Sequence, residues 1–317
     1  MGNEPGKGKT ARDSRMERSH RGQIHQAKAK ILSHVWHPGD QWILRFEAAE
    51  IARHAEPGSF VHITCDPALP MRRPMSIMRT DPDAGWVECL YKVVGKGTGL
   101  LARHRKGDVL DVLGPIGRPF ELRASRPRPL LIGGGVGIPP MVFLADRLRE
   151  RNGFSPFAIL GSEIPFPFKP TPSQILVDGI PDGVIATMPL LEDWGIPTRL
   201  ASGQGFSGCF DGLVTELADH WLRALSPEAR SEVEIHACGP TPMLAAVARL
   251  AQAHELPCQV ALEEYMACAV GGCAGCVVRV EEEGDPAMRR VCVDGPVFDA
   301  HQVFPPGGEK SKSGLFH

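Results

Sequence analysis

The sequence predicts an α+β multidomain chain: an antiparallel β-barrel, then a parallel α/β domain, then a small C-terminal domain built on cysteines. Three observations predict it. Between Ala27 and Arg123, short β-type runs recur between Pro and Gly residues. Beyond Arg126, strand-like runs alternate with helix-periodic segments. Near the C-terminus, Cys268, Cys273, Cys276 and Cys292 are spaced C-x4-C-x2-C-x15-C. A chain of 317 residues is long enough for about two or three domains, each burying its own core.

The barrel is read from Trp42–Phe46, Ser59–Ile63, Trp86–Val94 and Asp108–Leu113. Strands this short and this regular close on themselves to hide their edges. Thr98–His104 reads as one short helix among them. The basic, polar N-terminus lacks the apolar stretch of a secretory signal, so 1–26 is expected as a disordered tail and the chain as cytoplasmic. Nine cysteines in that setting favour reduced thiols and metal ligation. A net charge of −2 argues against general nucleic-acid binding. No uninterrupted apolar run reaches the roughly 18 residues of a membrane span.

Arg126–Pro129 marks the change of domain. Leu130–Ile132 is a buried strand, Pro139–Arg151 a helix, and Pro156–Leu160 and Gly183–Thr187 further strands. Phe210–Leu225 is a turn and helix, Glu232–Cys238 a strand and Pro242–His254 a helix. Strands alternating with helices make a parallel sheet. Ile164–Pro172 is too rich in Pro for either regular state and is expected as a surface loop. The boundaries expected are a barrel over 27–125, an α/β domain over 126–262, a cysteine domain over 263–300 and a flexible tail over 301–317.

Several motifs carry chemistry. Three thiolates on one Gly- and Ala-rich loop, with a fourth from a later segment, suit a [2Fe–2S] cluster, because small residues let backbone N–H groups reach the sulfurs. A four-thiolate zinc site is the alternative. Within the barrel, Arg73, Pro74, Met75 and Ser76 precede Leu90, Tyr91 and Lys92, then Gly97 and Thr98 at a helix start. An Arg fork and a helix start both favour a pyrophosphate. Gly133, Gly134, Gly135, Gly137 and Pro140 stand between a strand and a helix, where a phosphate-cradling loop belongs, without matching the usual dinucleotide fingerprint. Cys238, Gly239, Pro240 and Met243 follow a strand at the edge where open parallel sheets bind ligands. Glu163, after the second strand of the sheet, is placed to accept ribose hydroxyls and repel a 2′-phosphate.

Taken in order, RPxS, GxGT, GGGxGxxP and CGPxPM resemble the ferredoxin–NADP reductase superfamily. With the four cysteines and Arg290–Phe298, the chain resembles, over about residues 27 to 300, the electron-transfer-subunit family of bacterial NAD-dependent dihydroorotate dehydrogenases. The resemblance implies FAD held by Arg73, Pro74, Met75 and Ser76, with Ser76 near the reactive flavin nitrogen. Leu90, Tyr91 and Lys92 would line the flavin, and Gly97 and Thr98 the pyrophosphate. Gly133–Pro140 and Cys238–Met243 would take NAD(H), with Cys238 beside the ring carbon that exchanges hydride. Ser76 and Cys238 are thus the expected catalytic pair, and the four cysteines the cluster ligands. The implied partner is a catalytic FMN subunit in a hetero-oligomer. Another redox subunit, serving a hydrogenase, a ferredoxin or an oxygenase component, is the alternative. Two departures stand out: Ala269 where the family commonly has Gly, and the long Pro-rich insertion at 164–172.

Overall fold

The computed structural model describes residues 23–282 and 285–306. The tails expected at the two ends lie outside these as far as residue 22 and from residue 307. The first strand, β1 (His25–His37), starts within the expected N-terminal tail. β2 (Gln41–Glu47), α1 (Ala49–His54), β3 (Phe60–Thr64), β4 (Arg73–Asp81), β5 (Trp86–Lys92), α2 (Lys96–Leu101) and β6 (Val109–Ile116) follow. The six strands close into an antiparallel barrel in the order β1-β2-β5-β4-β3-β6. Its interior is Ile31, Leu44, Phe46, Ile63, Ile77, Val87 and Tyr91, all buried. Each such side chain contributes about 1.5–3 kcal/mol on leaving water.

The second lobe runs through β7 (Arg128–Gly134), α3 (Ile138–Arg149) and β8 (Phe157–Gly161) to the short β9 (Thr171–Pro172) and β10 (Ala186–Thr187). It continues with α4 (Pro189–Asp193), β11 (Thr198–Ala201), α5 (Val214–Ala224), α6 (Pro227–Ser231), β12 (Val233–Cys238), α7 (Thr241–Ala253) and β13 (Cys258–Ala261). The hairpin β14 (Val277–Glu282)–β15 (Asp285–Arg290), β16 (Val297–Asp299) and α8 (Ala300–Val303) complete the chain. The main sheet has the order β11-β8-β7-β12-β13-β16, parallel except for β16. From β7 the chain builds outward through β8 to β11, then returns to lay β12 on β7's other side. The direction of winding therefore reverses between β7 and β12, and ligands bind such sheets at that crevice.

Two expectations are corrected. The strand expected over Gly183–Thr187 shrinks to β10, which pairs with β9 inside the Pro-rich segment rather than with the main sheet. The strand beside β8 is β11. It escapes the hydrophobic pattern because Thr198 and Arg199 are buried in it, with Arg199 donating to the Thr198 and Ile175 carbonyls. The Pro-rich segment, in turn, is anchored rather than loose on the surface. Phe166 is buried against Phe168 and Phe206, and the Gln41 side-chain amide donates to the Pro165 carbonyl at 2.7 Å. Gly39, at φ +81°, leaves room for Ile164, whose Cδ1 would lie 2.8 Å from an added Cβ.

Two contacts fix where the lobes meet. α3 lies on β4, with Phe143 in the barrel core and Arg147 reaching the Ala55 carbonyl and the Thr80 hydroxyl. The cysteine module packs on the neighbouring wall, β3 and β6, where Phe60 and Ile116 share one buried cluster with Met266, Ala269, Cys276 and Cys292. No helix among the described residues is long and apolar enough to cross a membrane.

Candidate functional site

The cysteine loop is assembled by a hairpin. Val277 pairs with Arg290 across β14 and β15, and the Val291 amide donates to the Cys276 carbonyl at 2.9 Å. Cys276, just before the hairpin, and Cys292, just after it, are therefore brought side by side although 15 residues separate them. The loop ahead of them turns through left-handed residues at Ala269 (φ +57°), Gly271 (φ +83°) and Ala274 (φ +52°). Amides of Cys273 and Gly275 point at the Cys268 and Cys273 sulfurs, each at 3.4 Å. Burial opposes ionisation of Cys268, yet N–H groups of Val270, Cys273 and Gly272 outweigh it and bring the thiol down to about 6. Burial, then the neighbouring Cys276, pushes Cys292 up to about 12. The thiols thus gather as two adjacent pairs, Cys268 with Cys273 and Cys276 with Cys292, and a four-thiolate donor set with amides aimed at its sulfurs fits an iron–sulfur cluster. Ala269, where the resemblance implies Gly, takes the left-handed turn, a conformation that costs an L-residue roughly 1–2 kcal/mol.

The crevice between β7 and β12 collects the second group. Cys238 is the register partner of Gly133, and Gly134 of Gly161. The glycine loop, the Cys238–Met243 loop and the Glu163 turn thus share one sheet edge. Gly137 is required there, since an added Cβ would sit 2.2 Å from the Cys238 carbonyl oxygen. Cβ atoms on Gly134 and Gly239 would each meet Met243 at 2.4 Å. Met243 therefore fills the notch that the glycines leave, and the two loops interlock. Pro139 and Pro140 open α3, where a missing N–H costs nothing. Cys238 is buried at 1 % exposure, and burial raises its thiol well above the ordinary range, so it meets the crevice as a neutral thiol. Glu163 is exposed, on a turn held by the Ser162 hydroxyl donating to the Ile164 carbonyl.

The barrel wall facing α3 collects the third. Arg72 and Arg73 divide their work: Arg72 bonds Asp111 at 2.6 Å, with Lys28 and Gln26 on the same carboxylate. Arg73 has no carboxylate partner among the described residues and donates to the Met71 and Arg72 carbonyls. Its guanidinium lies over the start of α2, 2.8 Å from where a Cβ on Gly97 would be. Thr98 is committed to the helix start, its hydroxyl accepting from the Val94 and Gly95 amides. Successive strand residues face opposite ways, so Leu90 and Lys92 share the outer face and Tyr91 turns into the barrel. Leu90 packs with Ile138 at the glycine loop, whereas the Tyr91 hydroxyl is 2.8 Å from His34 Nε2. Ser76 pairs with Phe60, the residue that touches the cysteine module.

Residues 263–304 match the family described as the iron–sulfur cluster binding domain of dihydroorotate dehydrogenase B. The electron transfer subunit of dihydroorotate dehydrogenase B (NAD(+)) from Desulforamulus reducens is 32% identical over 279 residues, 87% of this chain and 97% of that protein. The chain belongs to that electron transfer subunit family. The Bacillus caldolyticus member is 36% identical over 258 residues, 78% of this chain and 86% of its own. Among solved structures, one titled for the NADH-dependent reduced ferredoxin–NADP oxidoreductase superposes with a TM-score of 0.69 at 27% identity, over 87% of this chain and 90% of that one. A ferredoxin reductase of carbazole 1,9a-dioxygenase shares the fold, with a TM-score of 0.56 at 22% identity over 74% and 67% of the two chains.

Sequence reasoning missed His62 in this family member. It lies fully buried on β3, with backbone groups of Arg72 and of Met266 in the cysteine module near its ring but no hydrogen bond of good geometry to either nitrogen among the described residues. Burial, then Arg72, lowers it to about 4. A histidine in a β-run reads as an outward residue, so the only available signal was its place two residues after Phe60.

Proposed function

We propose that this chain passes electrons between a nicotinamide nucleotide and the catalytic FMN subunit of a dihydroorotate dehydrogenase, as its electron transfer subunit in pyrimidine biosynthesis in the cytoplasm. The observation that carries the reading is the adjacency of three sites. α3, which opens at the glycine loop, lies on the strand bearing Arg73–Ser76, and Ser76's cross-strand partner Phe60 touches the cysteine loop. FAD, when bound, exchanges a hydride with a nicotinamide and single electrons with a [2Fe–2S] cluster, which neither of the others can do alone.

In this reading Arg73 holds the flavin phosphates beside Gly97 and Thr98, while Pro74, Met75, Leu90 and Lys92 line the flavin. Tyr91 supports that wall from inside the barrel. Ser76 is presented toward the reactive edge and Cys238 toward the nicotinamide as a small neutral neighbour. Gly133–Pro140 and Gly239–Met243 shape the nucleotide bed, and Glu163 accepts ribose hydroxyls, giving a preference for NADH over NADPH. The four cysteines hold the cluster. The division into a barrel over 27–125, an α/β domain over 126–262 and a cluster domain over 263–300 follows these roles, although β16 adds its strand to the main sheet.

A second reading, delivery of electrons to a ferredoxin-type acceptor, is favoured by the likeness to the NADH-dependent reduced ferredoxin–NADP oxidoreductase. Co-expression with a catalytic FMN subunit separates the two. The first reading expects a hetero-oligomer that reduces NAD+ with dihydroorotate. Failure to associate, together with rapid NADH-driven ferredoxin reduction, would establish the second.

A further inference from the structure

Away from all three sites, the barrel brings together His25 at the start of β1 and Glu50 and His54 on α1. One ligand atom from each lies within 4.8 Å of the others. Glu50 and His54 are four residues apart and so share one face of the helix. The two imidazoles stack at 5.1 Å and 24°.

The proton positions follow from chemistry. His54 Nδ1 lies 2.8 Å from the Glu50 backbone carbonyl, which can only accept. Nδ1 therefore carries the proton, and Nε2 keeps its lone pair for a ligand. A carbonyl bond at one ring nitrogen orienting the other for coordination is the usual support of a metal-bound histidine. Arg53 pairs with Glu50 Oε1, which leaves Oε2 for a second partner. A cavity of ≈ 20 Å³, room for one water, opens beside His54 between Gln23, Glu56 and Ser59.

We infer that His25, Glu50 and His54 form a binding site for a divalent first-row transition metal such as zinc, with water completing the coordination. Two imidazole nitrogens and one carboxylate oxygen are a borderline set, suited to zinc rather than to calcium or magnesium, which prefer oxygen ligands throughout. The ion clasps the beginning of β1 to α1. Ile24, the residue before His25, packs into the cluster-side core, so the clasp secures the chain where barrel and cysteine module meet.

The test uses the full chain with flavin and cluster in place, stripped of loose metal and dialysed against zinc. One zinc per chain is expected, with the cluster's visible absorbance unchanged and a higher melting temperature. His25→Ala and His54→Ala should each weaken zinc binding at least about 100-fold, since even losing an outer support costs 10–100-fold. Both variants should keep their flavin and cluster spectra, which checks folding. Arg53→Ala, which frees Oε1, should retain the zinc. Equal zinc uptake by the wild type and both histidine variants would overturn the assignment. So would zinc uptake that bleaches the cluster in proportion, because the metal would then sit on the cysteines.

Discussion

The cysteine loop and the nucleotide crevice solve the same problem, holding a redox group against its neighbour, with opposite means. The crevice is finished before any ligand arrives. Its loops interlock through glycines that leave no room for a methyl group, on a sheet whose strands are almost wholly buried. The loop carrying Cys268 and Cys273 is half open to solvent and turns through three left-handed residues, two of them alanines. Its amides point at sulfur rather than at carbonyls. One site is shaped by packing, whereas the other relies on its metal.

The sharpest way to break that contrast is to remove a ligand. Cys276→Ser should abolish the cluster and loosen residues 267–276, read as loss of visible absorbance and faster hydrogen exchange there. Flavin occupancy should be nearly unchanged, and if flavin is lost in step the two sites are not independent. Next in size is Gly137→Ala. With the new Cβ 2.2 Å from a backbone oxygen, the loops must part. Overpacking of this kind costs about 1–3 kcal/mol, and nicotinamide affinity should fall more than about tenfold while cluster absorbance stays intact.

Acid should weaken barrel and sheet together, through one buried histidine in the barrel and one under the crevice. His236 is buried beneath it on β12, and burial, against a bond to the Glu121 carbonyl, lowers it to about 4. Because this folded value lies below the unfolded 6.5, the unfolded chain takes up the proton first. Stability is therefore full above pH 6.5 and declines toward pH 4. The slope approaches about 1.4 kcal/mol per pH unit for one such group, and His62 adds to it in the same direction. Urea midpoints should show a shallower decline in His236→Gln, and an unchanged slope would rule this residue out. The smallest effect is Ala269→Gly. Relief at φ +57° is partly offset by the entropy of glycine, leaving a gain of about 0.5 kcal/mol in apo-loop order and little change once the cluster is bound.

The same contrast explains what could be read from the chain. The cysteines are legible because their spacing marks a four-thiolate site, and the glycine and CGP motifs because each follows a strand-like run. β11 was not legible, since Thr198 and Arg199 occupy buried positions that apolar residues usually fill. β1 was obscured by a register shift between Ile31 and Ser33, which breaks its alternation. Neighbours set by barrel closure left no sequence trace: Tyr91 turned inward to His34, Arg72 rather than Arg73 spent on Asp111, and His25 beside His54.

The Pro-rich segment has a thermodynamic consequence. With Pro165 bonded to Gln41 of the barrel and the next residue, Phe166, buried against Phe168 and Phe206, it ties barrel to sheet in the folded chain. The entropy of setting two lobes at a fixed angle is then lost at folding rather than at each encounter with substrate. Two bound rings find their alignment already made, and a larger share of binding free energy is left for the transfer step.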